Sequence, residues 1–317
     1  MKKQLISMVL MAAMTVSMLT GCETADGKKT EAPSSENQAA AEVKAEDEGK
    51  ASEGGEDYSY HWKLATTESS DYYMTQLSQE FLDIVEEKTG GKVTGEVFAS
   101  GQLGGLVDAL EGLEMGNIDI VMDGVSSLSA VDDIFNVWCL PFLYDNKAHQ
   151  YRFWDNHFDE VSDMVAEQSG FRLVSVIDGM NRELASTVPV ESMADLKGLK
   201  IRVPNIPGYV RIWECLGAAP IPMSLSEVYT SIQTGVVQGQ ENDIALTLSL
   251  KFYEVAPYCV MTDHVAYEGS FYFNEEEYQS YPDELKQIIQ EAGEEIKLKS
   301  RNMIKEQEME CMKQIED

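Results

Sequence analysis

Hydrophobic positions along residues 60–122 switch between a period of two and a period near 3.6. Residues 60–66 (YHWKLAT) read as a strand. Asp71 stands where a cap is wanted. Beyond it Tyr73, Leu77, Phe81, Ile84 and Val85 recur near helical spacing, which predicts a helix over about 72–89, stopped by Gly90 and Gly91. Residues 92–98 alternate as a strand. Gln102-Leu103-Gly104-Gly105 opens a helix over about 105–115, closed by Gly116, and 117–122 is a strand again. A β-α-β-α-β succession predicts a parallel sheet with helices on both faces. Such sheets bind ligands beyond the C-terminal ends of their strands. The loops at 67–71, 100–105 and 123–127 are predicted to lie there.

A similar stretch begins near 170. Strands are predicted at 171–177, 182–187 and 199–203. The last places Leu199, Ile201 and Val203 on one face and Lys200 and Arg202 on the other. A short helix is predicted at 207–216. Another follows Ser224, which forms a capping-box pattern with Glu227, and runs to Gly235. Val236-Val237 reads as a brief strand and 260–273 as one or two more. Residues 282–317 carry one helix of roughly 34 residues, about 50 Å long at 1.5 Å per residue. No single small lobe needs a helix of that length.

The N-terminal 57 residues follow other rules. Lys2 and Lys3 precede an apolar run from 5 to 19 that is too short to span a bilayer as an anchor, so it reads as an export signal over 1–21. It ends in Leu19-Thr20-Gly21-Cys22, which resembles the bacterial lipobox. That resemblance implies cleavage before Cys22 and lipidation of its thiol, with the protein held at the outer face of the cell membrane by acyl chains. In 22–57 Val43 is the only large aliphatic residue and no aromatic occurs. This acidic stretch cannot bury enough apolar surface to order itself and reads as a disordered tether, with an end-to-end distance of ~30–35 Å.

Charge narrows the function further. The chain of 317 residues carries a formal net charge of −31, which argues against nucleic acid and against a basic membrane-surface patch. Six arginines occur: Arg152, Arg172, Arg182, Arg202, Arg211 and Arg301. No GxSxG, HExxH, Walker loop or GxGxxG is present, and the four histidines are dispersed, so no catalytic residue, metal site or cofactor is assigned. Cys139, Cys215, Cys259 and Cys311 form no CxxC. Two disulfides are possible outside the cell, but cysteines in contexts such as VWCLPF read first as buried free thiols.

The run 179–242 carries the strongest signal. Its pieces are Asp195-Leu196-Lys197-Gly198-Leu199-Lys200-Ile201-Arg202-Val203-Pro204, Leu216-Gly217-Ala218, Pro220-Ile221-Pro222-Met223, Glu227-Val228-Tyr229, Gln233-Thr234-Gly235-Val236-Val237 and Gly239-Gln240-Glu241-Asn242. Gly101-Gln102-Leu103-Gly104, Leu113-Glu114-Met115-Gly116 and Leu140-Pro141-Phe142 lie upstream. Lys251-Phe252-Tyr253-Glu254-Val255 and Thr262-Asp263-His264 lie downstream. Together, over about 60–310, they resemble the DctP-class solute-binding proteins of tripartite ATP-independent periplasmic (TRAP) transporters.

That resemblance implies a two-lobed α/β fold of the periplasmic-binding-protein kind, with a cleft between lobes and a long C-terminal helix spanning them. Lobe 1 takes 58–179 and 268–307, and lobe 2 takes 180–267 and 308–317. It implies a monomer that captures a small organic acid and delivers it to TRAP permease subunits, with no enzymatic activity. Arg202 matches the arginine that pairs with the ligand carboxylate, Arg182 a second contacting arginine, and Asn242 an amide that bonds ligand oxygens. The chemistry is apt, because a guanidinium fork fits a carboxylate bidentately and keeps its charge. Both arginines are expected on polar faces, so that substituting them leaves the fold intact. Two rival readings stand beside it: a sensor subunit feeding a membrane receptor, which would keep the same residues, and an enzyme acting on a sugar acid, for which the sequence offers no nucleophile or metal cluster. Relatives read Val-Asp-Gly-Gln-Glu-Asn where Gln238 stands here. The choice among C4-dicarboxylates, sugar acids, sialic acid and other organic acids stays open. Relatives also continue past the long helix, so the chain reads as short at its C-terminus, with the turns beyond about 307 expected to be frayed.

Overall fold

The computed structural model describes residues 58–316; the predicted export signal, Cys22 and the tether lie outside the described residues. The first half runs β1 (Tyr60–Ala65), α1 (Tyr73–Thr89), β2 (Val93–Phe98), α2 (Leu106–Glu114) and β3 (Ile120–Gly124), close to the predicted bounds. Asp71 does not cap α1: the N-cap is Tyr72, with no side-chain bond. Two 3-10 turns at Val125–Ala130 and Asp133–Cys139 lead to α3 (Lys147–Ser169), whose stretch the sequence pattern had left unassigned.

Next comes β4 (Phe171–Ser186), one long strand where two were predicted. It is followed by β5 (Lys200–Val203), α4 (Pro207–Cys215), β6 (Ala219–Pro222), α5 (Val228–Gln233), β7 (Gly239–Asn242), α6 (Ile244–Ser249), β8 (Tyr258–Asn274), α7 (Glu275–Ser280) and α8 (Asp283–Glu316). No strand forms at Val236-Val237, because the turn after α5 occupies them and pairing begins at Gly239.

All eight strands form one sheet in the order β2-β1-β3-β8-β4-β7-β5-β6. It is mixed, not parallel. β2-β1-β3 and β7-β5-β6 are each parallel, and the antiparallel β8–β4 ladder joins them. The two parallel sets form the two ends of the sheet, with β8 and β4 between them. Register shifts at 174/177, 178/181 and 182/184 break the ladder between them, where extra residues increase local twist. Gly179 sits in this crossing; a Cβ there would lie 2.6 Å from the Tyr267 carbonyl oxygen.

Alternation sorts side chains to the two faces. Leu64, Ile120 and Met122 join the core beneath α1 and α8, while Ala65 and Val121 join the one beneath α2 and α3. Leu199, Ile201 and Val203 enter a third core with Trp213. α8 buries Leu285, Ile289, Ala292 and Ile296 against the first core, as the periodicity requires. Beyond 307, where poor packing was expected, α8 continues, Cys311 is buried in that core and Met312 packs on it. All four described cysteines are free thiols.

Three buried acids carry an unusual cost. Burial raises Glu68, Glu183 and Glu268 to about 8 each. Unfolded, each titrates near 4.5. In this window the native state holds protons that the unfolded chain releases. The stability present below pH 4.5 is therefore lost as pH rises towards 8. The melting temperature of the ligand-free protein should fall between pH 5 and pH 8, and Glu268→Gln should flatten that slope. Calorimetry at both pH values checks this; a melting point that rises over the interval contradicts it.

Candidate functional site

A cavity of about 130 Å³ opens between the two parallel strand sets. The three predicted loops reach it: Thr67 and Glu68 after β1, Ser100, Gly101, Gly104 and Gly105 after β2, and Asp123, Ser126 and Ser127 at the end of β3. The opposite wall brings Arg182 from β4, Arg202 from β5, Tyr209 from α4, Met223 after β6, Asn242 from β7 and Tyr267 from β8. Arg202, Arg182 and Asn242 are thus gathered at one cavity. Cys22 lies outside the described residues.

β5 places Arg202 opposite its core face, as the alternation predicts, but in a buried position only 2% exposed. Its Nε and Nη2 donate to the Met223 carbonyl at 3.1 and 2.9 Å. Nη1 is buried with no partner, and among the described residues Arg202 enters no salt bridge. Burial lowers its pKa to about 10; the charge of Arg182 acts in the same direction and Glu241 opposes it. It remains a cation at neutral pH. A buried donor without an acceptor costs free energy, and its side chain lines the cavity.

Arg182 is built differently. Its Nε donates to Glu241 Oε2 at 2.6 Å, and its Nη2 donates to Glu241 Oε1 at 2.9 Å, the Glu241 carbonyl at 2.8 Å and Asn242 Oδ1 at 2.8 Å. Tyr209 and Tyr267 flank the guanidinium, 4.9 and 5.4 Å from their ring centroids. Glu241 is completely buried and also meets His264 Nε2 at 3.3 Å. Burial acts to raise Glu241, but Arg182 and His264 outweigh it and hold the carboxylate below its usual range. Arg182 is therefore a neutralised pair and Arg202 is the uncompensated cation. Asn242 accepts from Arg182 and donates from Nδ2 to Gln240 Oε1 at 2.6 Å, which fixes its orientation.

Among the lining residues, the sequence reading did not single out Glu68, Asp123, Tyr209 or Tyr267. Glu68 lies in the loop after β1 and Asp123 near the end of β3, both at the predicted ligand side, but 55 acids in the chain give no basis for picking two. Glu68 Oε2 is buried without a partner. Asp123 Oδ1 accepts from Gly124 N at 2.7 Å and from Ser127 Oγ; burial nevertheless raises its pKa. Tyr267 lies over the end of β3 because residue 124 is glycine: a Cβ there would sit 2.4 Å from the ring. Ser126 Oγ and Tyr209 OH, 3.0 Å apart, tie the two walls together.

The site therefore offers one free cationic fork, a wall of aromatic and hydroxyl groups, and two acids, Glu68 and Asp123, whose pKa values burial raises. It is suited to a small anion with hydroxyl groups. Among the described residues no group of three or more His, Cys, Asp or Glu could hold a metal ion, and no helix is long and apolar enough to cross a membrane.

Known proteins point the same way. The sequence profile of the bacterial extracellular solute-binding proteins, family 7 (DctP), matches residues 64–317. A solute-binding protein of Roseobacter denitrificans is 36% identical over 178 residues, 56% of this chain and 54% of that protein. Its crystal structure with bound L-galactonate has a TM-score of 0.77 and 28% identity, covering 82% of this chain and 86% of the other. The sialic acid-binding periplasmic protein of Vibrio cholerae is 31% identical over 231 residues, covering 73% of this chain and 72% of its own length. A TRAP periplasmic solute-binding protein from a Sulfitobacter species, solved with bound β-D-galacturonate, has a TM-score of 0.77 at 29% identity, covering 81% of this chain and 86% of the other.

Proposed function

The chain belongs to the bacterial extracellular solute-binding proteins of family 7, which capture small acids outside the cytoplasm for TRAP permeases, and we propose that its own ligand is a sugar acid held through its carboxylate on Arg202. The observation that carries this reading is the buried, unpartnered Nη1 of Arg202 at the cavity. The Met223 carbonyl occupies the Nε side of the guanidinium, so the carboxylate takes the end formed by Nη1 and Nη2. Asn242 and the pocket hydroxyls then meet the remaining ligand oxygens. Support for a sugar acid comes from the relatives solved with β-D-galacturonate and L-galactonate, each a monocarboxylate with several hydroxyls.

The lobes divide near 179/180 and 267/268, with 58–179 and 268–307 forming lobe 1 and 180–267 with 308–317 forming lobe 2. Ligand bound between them favours the closed form through its greater affinity for that form. The protein releases its ligand chemically unchanged. A thermal-shift screen of hexuronates, aldonates, sialic acid and C4-dicarboxylates, with neutral hexoses as controls, tests the reading. At least one sugar acid should raise the melting temperature and no neutral hexose should. Stabilisation by a hexose but by no acid would overturn it.

Anchoring is part of the same proposal. Cys22 carries the lipid, and the acidic stretch to residue 57 lets the binding unit range above the membrane. Cys22→Ala should leave the protein as unprocessed precursor or release it from the membrane fraction. Equal processing and retention of both forms would refute the anchor.

A further inference from the structure

Two buried polar atoms at the cavity lack partners: Arg202 Nη1 and Glu68 Oε2. They do not satisfy one another, since Arg202 enters no salt bridge among the described residues. An unpaired donor and an unpaired acid on one small cavity describe a ligand with two kinds of group.

Glu68 is 6% exposed, in the loop after β1. That loop is pinned, because the Glu68 backbone nitrogen donates to Thr66 Oγ1 at 3.2 Å and its carbonyl accepts from Ser100 N at 2.6 Å. The groups facing its carboxyl are Asp123 at the end of β3, Asp243 ahead of α6, Arg182 on β4, Arg202 on β5, and Tyr72 and Tyr267. Glu241 already neutralises Arg182. Asp243 is held by Tyr72 OH at 2.5 Å and Leu246 N at 2.8 Å. An ionised carboxylate with a buried oxygen that receives no hydrogen bond, beside a second acid, is costly; the group avoids this by keeping its proton.

We propose that Glu68 is a specificity residue that meets the ligand as a protonated acid, donating its hydroxyl proton to a ligand hydroxyl, so that the site accepts a polyhydroxylated monocarboxylate and refuses a second carboxylate. This rests on the sugar-acid reading above. Burial, with Asp123 and Asp243 adding to it, raises Glu68 to about 8 while Arg182 and Arg202 oppose. Glu68 is thus neutral at pH 7. Above pH 8 it becomes an anion facing an anion, and the donor is lost. A second carboxylate would be buried on this wall with no free cation to neutralise it, since Arg202 is taken by the first and Arg182 by Glu241.

The test is calorimetry with D-galacturonate, L-galactonate and succinate from pH 6 to pH 9, below the range where Arg202 loses its proton. The parent protein should bind at least one of the sugar acids, with affinity falling roughly tenfold between pH 7 and pH 9 as Glu68 ionises. Succinate should bind at least about tenfold more weakly than that sugar acid. Glu68→Gln, which keeps a neutral donor, should bind with no change from pH 7 to pH 9. Glu68→Ala should lose at least about tenfold at pH 7. A flat pH profile in the parent, a profile unchanged in Glu68→Gln, or succinate binding as tightly as the sugar acid overturns the proposal. If no acid binds the parent, the sugar-acid reading fails. Glu68 is then judged by carbon NMR titration of its carboxyl in the ligand-free protein, assigned with Glu68→Gln. Titration near 8 upholds the protonated form, and titration in the ordinary carboxylate range overturns it.

Discussion

Arg202→Ala should weaken binding of the cognate acid by on the order of 10²-fold or more while the protein still folds. Hydrogen bonds to charged groups contribute about 1.5–3 kcal/mol each, and two are lost. The remaining cation, Arg182, is already engaged by Glu241, so nothing replaces the charge. The structural cost is small by comparison: the Met223 carbonyl loses the two donors it shares, on the order of 1–3 kcal/mol. Arg202→Lys should also bind poorly, because an ammonium cannot hold Met223 and a carboxylate at the fixed spacing of a guanidinium. Calorimetry for affinity, with circular dichroism for folding, separates the two effects. Wild-type affinity in Arg202→Ala would refute the binding mode.

Arg182→Ala should act mainly on stability. From sequence, both arginines face polar surroundings and should be replaceable without harm to the fold. The structure changes that expectation for Arg182, which is 5% exposed and bound to a carboxylate that is 0% exposed. Removing it strands Glu241 as a buried charge with His264 as its nearest basic neighbour. Breaking a buried pair from one side costs about 3–5 kcal/mol. It also frees Asn242 Oδ1 and removes the cation between Tyr209 and Tyr267. The double variant Arg182→Ala/Glu241→Gln should recover part of the loss, since the stranded charge is gone. Urea unfolding of both variants checks this. An unfolding free energy for Arg182→Ala within about 0.5 kcal/mol of the parent would show that the pair carries no such weight.

Much of this arrangement was visible in the sequence where a local rule governs it. Alternation over 199–203 put Arg202 opposite the core, and the βα succession put the loops holding Glu68 and Asp123 at the ligand side. The family motifs selected Arg182 and Asn242. What was hidden is non-local. The parallel sets are joined by β4 and β8, whose antiparallel pairing over long separations leaves no mark on either strand's own pattern. Val236 and Val237 look like a strand by composition, but the turn closing α5 takes them. The end of α8 looked free because the core that takes in Cys311 is assembled from elements distant in sequence, α1 and α6 among them. The division of labour between the arginines depends on which one Glu241 reaches, and both readings fit the motif Gly239-Gln240-Glu241-Asn242 equally well.

The central claim is that a carboxylate on Arg202 anchors the ligand. Its most direct test is calorimetry of the parent protein with D-galacturonate, L-galactonate and L-gulonate, followed by the methyl ester of whichever acid binds. The ester keeps the hydroxyls and loses only the anion. At least one free acid should bind at pH 7, and its ester should bind at least about 10²-fold more weakly, the loss expected for removing the charge-assisted fork. Equal affinity for the acid and its ester would contradict the account.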